Sequence, residues 1–311
     1  MAIEQLYQRD VYGKTLVELG KRDPRVIVVD ADLSGSTRTI LFAKEFPDRF
    51  FNFGVAEQNM MATSAGIASC GKIVFASTFA MFASARALDQ VRNSICYNNL
   101  NVKIVATHSG ITVGEDGASH QALEDINFMR AIPNMKIIVP SDGPETRSAI
   151  LAAFETNGPF YVRLGRSKVP SLENKKDFVL GKGYMLQEGK NMALIACGIM
   201  VNEALVAAQT LKDKGIDVAV FNIHTIKPLD RALIVDIAKK YGKIIVCEEH
   251  QVTGGLYSAV CETLSHDYPV LVERIGVEDR FGQSGSPSEL MECYGLSANC
   301  IAKKCEEFLR K

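Results

Sequence analysis

The chain has 311 residues, 47% of them hydrophobic, and a formal net charge of −1. That length exceeds what one hydrophobic core usually serves and predicts two domains. The near-neutral charge, with basic residues scattered and clustered no further than Lys175-Lys176, excludes nucleic acid or an anionic membrane surface as the main partner.

Eight cysteines occur without a C-x-x-C spacing, which reads as reduced, buried thiols rather than a disulfide or zinc framework. Met1-Ala2-Ile3-Glu4-Gln5 has no basic region leading into an apolar run, so no secretory signal is expected. No stretch approaches the ~20 apolar residues of a membrane span, and the expected location is the cytoplasm.

Five short apolar runs open the chain: Val26-Ile-Val-Val-Asp30, Lys72-Ile-Val-Phe75, Val102 to Thr107, Lys136-Ile-Ile-Val139 and Phe160-Tyr-Val-Arg163. Continuous β-branched runs of this kind suit strands buried on both faces. Amphipathic stretches alternate with them, at Val11–Leu19, Glu57–Ala68, Phe79–Cys96 and Pro144–Glu155. The pattern predicts an α/β fold with a parallel sheet. From Ser171 to Gly189 the pattern breaks into Lys, Glu, Asp and Gly, as an interdomain connection would. It restarts with strands at Met192–Ala196, Val218–Phe221, Lys243–Cys247 and Val270–Val272, and with helices over Val201–Leu211, Leu229–Lys240 and Gly255–Leu264. The expected organisation is a first domain over 1–170, a linker over 171–189 and a smaller α/β domain over 190–311.

Ligands of open parallel sheets gather beyond the carboxyl ends of the strands, and unusual polar residues recur there. Asp30-Ala-Asp32 follows the first strand, and Phe50-Phe-Asn-Phe53 leads into Gly54-Val-Ala-Glu57-Gln-Asn59. Ser77-Thr-Phe79 follows the next strand, His108 ends the Val102–Thr107 run, and Arg163 and Arg166 close the fifth. Each also has a purely structural explanation. Glu57 suits the positive end of a helix dipole, Phe79 and Phe82 suit core packing on one helix face, and Glu115-Asp-Gly117 suits an ordinary turn.

In combination and order, these residues resemble the transketolase family. Ala106-Thr-His-Ser-Gly-Ile-Thr-Val-Gly-Glu-Asp-Gly-Ala-Ser-His-Gln121 is similar to the family stretch A-T-H-D-S-x-x-V-G-E-D-G-P-T-H-Q. Gly54-Val-Ala-Glu-Gln-Asn-Met60 resembles G-V-[RA]-E-[HQ]-x-M, and Asp30-Ala-Asp-Leu33 with Ser36 resembles A-D-L-x-x-S. Ser77-Thr-Phe-Ala-Met-Phe82 resembles the aromatic T-F-x-x-F, and Leu164-Gly-Arg166 an L-[SG]-R phosphate arginine. Glu248-Glu-His250 with Gly254-Gly255 extends the likeness into the second domain.

The resemblance implies a pyrimidine-binding domain followed by a transketolase C-terminal domain, acting with thiamine diphosphate. The family's G-D-G motif with a downstream Asn, which holds Mg²⁺ and the diphosphate, has no match here. Glu115-Asp-Gly117 and Ser141-Asp-Gly143 lack both the leading Gly and the Asn. The implied arrangement is a C-terminal subunit of a split transketolase. A separate N-terminal subunit would carry Mg²⁺ and the diphosphate, the coenzyme would be shared, and this chain would pair with itself in a two-plus-two heterotetramer.

By the same resemblance, Glu57 would hydrogen-bond the aminopyrimidine ring; a carboxyl enclosed by aromatic rings and partner surface has its charged form disfavoured, which helps it share a proton. Phe79 and Phe82, with Asp32, would bind the coenzyme. His108 and His120 would act in catalysis and line the substrate channel with Asp116. Arg166, Ser36 and Arg9 would hold a sugar phosphate. The reaction implied is transfer of a two-carbon ketol unit from a ketose phosphate to an aldose, as in carbohydrate and pentose phosphate metabolism.

Two positions depart from the family: Ser109-Gly110 where it has Asp-Ser, and Ala85 where it has a third pyrimidine aromatic. Three other readings remain: a 2-oxoacid dehydrogenase beta subunit, a deoxyxylulose-phosphate synthase half, and a non-catalytic scaffolding subunit. The Val113-Gly-Glu-Asp-Gly117 stretch disfavours the first, His108 the second, and joint retention of Glu57, His108, Asp116, His120 and Arg166 the third.

Overall fold

The computed structural model describes residues 4–172 and 176–310. Residues 1–3, 173–175 and 311 lie outside the described residues; the expected leader-free N-terminus, part of the 171–189 linker and Lys175 fall on them.

The described residues form fourteen strands: β1 (Gln5–Tyr7), β2 (Val26–Asp30), β3 (Phe50–Asn52), β4 (Ile73–Phe79), β5 (Val102–Thr107), β6 (Lys136–Ile138), β7 (Phe160–Arg163), β8 (Lys168–Pro170), β9 (Tyr184–Gln187), β10 (Met192–Ala196), β11 (Val218–Asn222), β12 (Thr225–Lys227), β13 (Lys243–Gln251) and β14 (Leu271–Val277). Seven make the first sheet, in the order β12-β6-β7-β5-β4-β2-β3, parallel except for β12. Five make the second, β14-β13-β10-β11-β9, parallel except for β9. β2, β4, β5 and β7 are buried at every position, which is why their sequences are largely apolar rather than alternating.

Three features differ from the sequence reading. The stretch Phe79–Cys96 is not one helix. β4 continues to Phe79, and two π-type segments follow, Phe82–Arg86 and Gln90–Cys96, with Ala87 at φ −107° and ψ 19° between them. Within the span expected to be linker, Tyr184–Gln187 is the edge strand β9, hydrogen-bonded to β11. Finally, β12 lies in the second half of the chain yet pairs antiparallel with β6 of the first sheet, Thr225 opposite Ile138 and Lys227 opposite Ile137.

The two sheets share a core. One apolar cluster joins Ile104, Ala106 and Ile137 with Ile195, Phe221 and Val246. A buried arginine also ties the halves: Arg163 Nε donates to Asp125 of its own domain at 2.8 Å, and its Nη2 donates to the carbonyl of Ala122 at 3.1 Å and, across to the second half, to that of Glu249 at 3.0 Å. Arg163, conspicuous at a strand end in the sequence, is thus a fastener between domains. Among the described residues no helix is long and apolar enough to cross a membrane.

Register brings the strand ends into line. Asp30 lies opposite Ser77, Phe79 opposite Thr107, and Ala106 opposite Arg163. The carboxyl ends of β2, β4, β5 and β7 therefore open on one edge of the first sheet.

Candidate active site

Glu57 is the first residue of the helix Glu57–Ser69, where the helix dipole favours a carboxylate, and only 1% of its surface is exposed. Both its oxygens accept from Nη1 of Arg86, at 2.9 Å each. The Arg86 guanidinium lies 4.3 Å over the ring of Phe82. Phe82 in turn lies nearly parallel to Phe79, ring centroids 5.9 Å apart, and His120 meets Phe82 edge-on at 5.4 Å.

Phe79 is buried, and the face of its ring is covered by the His108 imidazole at 3.8 Å. Of the two phenylalanines expected to share a coenzyme ring, Phe82 is half-buried and Phe79 is enclosed behind it.

His108 follows β5 with φ +56°, a conformation that side chains rarely adopt and that turns its ring back over the sheet end. Its Nδ1 is 2.9 Å from the Thr107 hydroxyl, and its Nε2 is 3.4 Å from Nη1 of Arg9. Burial first, then the positive charges of Arg9 and Arg166, push its pKa down to about 3. The ring is a neutral imidazole near neutral pH.

The same Arg9 nitrogen donates to the carbonyl of Ser36 at 3.4 Å, so Ser36 approaches the site through its backbone. Arg9 itself has its pKa lowered, chiefly by burial and then by Arg38, and its Nε is buried without a hydrogen-bond partner. Arg166 Nη1 is held by the Val113 carbonyl at 2.5 Å and by the Glu115 carboxylate at 2.7 Å.

Arg9 and Arg166 line one cavity of about 340 Å³ with Tyr7, Ser167 and Lys168. β1 and β8 place Tyr7 opposite Lys168, and the Tyr7 ring has Arg9 at 5.0 Å and Lys168 at 5.2 Å. Three cations converge on this cavity with a single carboxylate, Glu115, at its margin. A second cavity, of about 410 Å³, lies between Arg130 and Glu262. There Arg130 pairs with Glu262 and Arg231 with Asp267, and Lys227 is spent on the carbonyls of Arg130 and Ile132, so no convergent charge is left.

The loop between His108 and His120 is shaped by the second domain. Gly110 has φ +77°, and a Cβ there would lie 2.3 Å from the Glu249 carboxyl carbon. Glu249 is buried, accepts from the Thr112 amide at 2.7 Å, and has its pKa raised by that burial. Gly110 is therefore the residue that admits Glu249, which accounts physically for the departure at that position. Gln121 donates from Nε2 to the Gln283 carbonyl at 2.9 Å, a further hold from the second domain.

Asp116 ends this loop's 3-10 segment, Ile111–Asp116, with its side chain exposed. Asp32 is also exposed, one residue beyond Ala31 at φ +64°, and its amide donates to Asn52 at 3.0 Å. Neither carboxylate joins the contact chain that runs from Glu57 through Arg86, Phe82, His120, Phe79 and His108 to Arg9. At the other departure, Ala85 is exposed, and the adjacent Arg86 is what covers Phe82.

Among the described residues no three His, Cys, Asp or Glu side chains come together as a metal site. A buried carboxylate beside a half-open aromatic face fits the nitrogenous end of a planar coenzyme, whereas the carboxylates of the site do not gather, among the described residues, into the oxygen cluster that a diphosphate-bound Mg²⁺ requires.

Three residues escape the sequence reading, Arg86, Tyr7 and Lys168, and Glu249 appears there only as part of Glu248-Glu-His250, without its contact to the loop. Arg86 is four residues beyond Phe82, a spacing that signals helix-face contact, but its carboxylate partner is 29 positions away. Tyr7 and Lys168 meet only through the β1–β8 pairing.

Family models match both halves of the chain: the transketolase pyrimidine-binding domain over residues 4–171 and the transketolase C-terminal domain over 181–301. A transketolase C-terminal section from Methanocaldococcus jannaschii is 50% identical over 307 residues, covering 97% of this chain and 96% of that protein. The 6-deoxy-6-sulfo-D-fructose transketolase subunit SqwH of a Clostridium species is 40% identical over 306 residues, covering 98% of this chain and 95% of that one. The solved structure of a split-gene transketolase, described as an inactive β4 tetramer, superposes with a TM-score of 0.91 at 49% identity, covering 98% of this chain and 99% of its own. With family models spanning both of its domains, the chain belongs to the transketolase family.

Proposed function

We propose that the chain is the C-terminal subunit of a thiamine diphosphate-dependent transketolase, moving a two-carbon ketol unit from a ketose with an anionic terminus to an aldose. A separate N-terminal subunit would hold the Mg²⁺ and the diphosphate. The observation that carries the proposal is the unbroken side-chain path from the buried Glu57 carboxylate to the cationic cavity of Arg9, Arg166 and Lys168. By side-chain contacts it would connect a seat for a coenzyme ring with a seat for a charged sugar terminus.

When bound, the coenzyme would supply the carbanion chemistry that no side chain can supply. Glu57 would hydrogen-bond the ring nitrogen of the pyrimidine, and Phe82 would pack on its face. His108, neutral under the field of two guanidinium groups, would donate or accept a hydrogen bond at a substrate hydroxyl without carrying a charge of its own. His120, beside Phe82, would stand at the same reacting centre, and Asp116 at the rim would bind a donor hydroxyl. Arg9, Arg166 and Lys168 would bind the terminal phosphate or sulfonate by charge-assisted hydrogen bonds, and Ser36 would orient Arg9. Asp32, exposed and apart from this path, has no such contact to support a coenzyme role.

The relative named for a sulfo-sugar supports an anionic terminus without fixing which anion. Self-pairing of this chain, on which a two-plus-two assembly would be built, is supported by a relative described as an inactive β4 tetramer.

The test is Glu57→Gln in the complex reconstituted with the N-terminal subunit, assayed with a ketose phosphate and an aldose phosphate. Loss of a proton-sharing group of this kind lowers turnover by roughly 10²–10⁴-fold. Unaltered turnover would favour a scaffolding subunit. Turnover only with pyruvate and glyceraldehyde phosphate would indicate the deoxyxylulose-phosphate synthase reaction instead.

A further inference from the structure

We infer that Arg86 is a placeholder for the coenzyme ring: it holds the Glu57 carboxylate and covers the Phe82 face, and must swing out before the ring can enter. The inference rests on the coenzyme role proposed for Glu57 and adds to it a residue that neither the sequence motifs nor the domain matches single out.

The geometry carries it in four respects. First, Arg86 takes both contacts expected of the ring. Its Nη1 donates to each oxygen of Glu57 at 2.9 Å, and its flat guanidinium covers the Phe82 face at 4.3 Å. A planar cation bonding at its edge and stacking by its face uses the same space as a heteroaromatic ring that does both.

Second, the two occupants are mutually exclusive. Aromatic rings stack on such a face at comparable separations, so a guanidinium already in contact with Phe82 leaves no gap for another ring. With both Glu57 oxygens turned to one nitrogen, the carboxyl also does not face a ring nitrogen.

Third, Arg86 can leave. Its side chain is 46% exposed, against 1% for Glu57, and among the described residues Glu57 is its sole hydrogen-bond partner. The neighbouring Ala85 has no side chain that would obstruct rotation toward solvent, and the π-type segment Phe82–Arg86 holds both residues on the exposed rim.

Fourth, Glu57 cannot be left bare. An ionised carboxylate almost wholly out of water needs a partner, and until a ring arrives Arg86 supplies it. The chain thus keeps its key carboxylate paired before the site is complete, and coenzyme binding must first break that pair. The coenzyme meets only the fraction of molecules with Arg86 swung out, which weakens its apparent affinity by that fraction.

The test uses Arg86→Met, which keeps the apolar stem and removes the fork, with Arg86→Lys as a milder variant. Two quantities are measured: thiamine diphosphate affinity of the Mg²⁺-containing assembled complex by calorimetry, and the melting temperature of the full chain alone. A placeholder predicts that R86M tightens coenzyme binding about three- to tenfold, with R86K in between, while the chain alone melts lower. It also predicts that Glu57→Gln added to R86M recovers much of the lost melting temperature. Simple structural damage moves affinity in the opposite direction. Unchanged or weaker coenzyme binding by R86M, with wild type binding normally and E57Q binding poorly, overturns the placeholder alone. If wild-type complex binds no coenzyme, or E57Q binds as wild type does, the proposed role of Glu57 fails and the placeholder falls with it.

Discussion

At His108 the imidazole is buried, faces Arg9 and lies in the field of Arg166, and all three circumstances oppose a positive charge on it, burial most of all. The consequence for stability has a definite sign. The folded pKa is near 3, and an unfolded histidine titrates near 6.5. Between those values the unfolded chain binds a proton that the folded chain does not, so this group makes stability rise with pH across that window. His108→Gln should flatten the acid limb of stability by up to about 1.4 kcal/mol per pH unit. Melting temperatures of the two chains between pH 4 and 6.5 check this, and parallel curves would contradict it. Arg166 permits a second expectation. Removal of its guanidinium in Arg166→Met should raise KM for a ketose phosphate by roughly 10–100-fold, the worth of a charge-assisted hydrogen bond. KM for the unphosphorylated ketose should barely change, and an equal loss for both would remove Arg166 from the terminal anion site. Glu57, His108 and Arg166 stand out in the sequence through their family-like motifs, although each alone also has a structural explanation, and the fold brings them to the same strand ends. Arg86 does not: the residue it pairs with is distant along the chain, and only the folded surface joins them.

At the scale of elements, the loop from His108 to His120 is where the second domain reaches into the first. Glu249, near the end of β13, fills the space that Gly110 leaves and caps the Thr112 amide. Gly110→Ala should destabilise the chain by more than the ~1–2 kcal/mol that a left-handed backbone costs an L-residue, because its Cβ also meets the Glu249 carboxyl. In a Glu249→Ala background the same change should cost less, and chemical denaturation of the four chains in a double-mutant cycle measures that coupling. Additive effects would mean that the contact is unimportant. The sequence identified this loop but could not explain its departure from the family, since the explanation is a side chain more than a hundred positions away. The Phe79–Cys96 region misled for a different reason. Apolar spacing over a few turns does not separate one α-helix from a strand end followed by two π-type segments.

For the whole molecule, the alternation of strands and helices gave the α/β class and a parallel sheet. It did not show that the two sheets interlock. β12 is only three residues long, too short to register as a periodic signal, yet it closes one edge of the first sheet with residues from the second half. With the shared apolar cluster and the bond from Arg163 to the Glu249 carbonyl, it ties the two halves into one packed body. The full chain should therefore unfold in one transition, with calorimetric and van't Hoff enthalpies in agreement. Two resolved transitions would show that the halves are independent.

On the proposed reading, the buried Glu57 carboxylate serves one end of a coenzyme whose metal-bound end is held by a second polypeptide. The most direct measurement is therefore calorimetric titration of thiamine diphosphate with Mg²⁺ into this chain alone and into its complex with the N-terminal subunit. Saturable binding only in the complex is the expected result. Tight, Mg²⁺-dependent binding by the chain alone would contradict a site shared between two polypeptides.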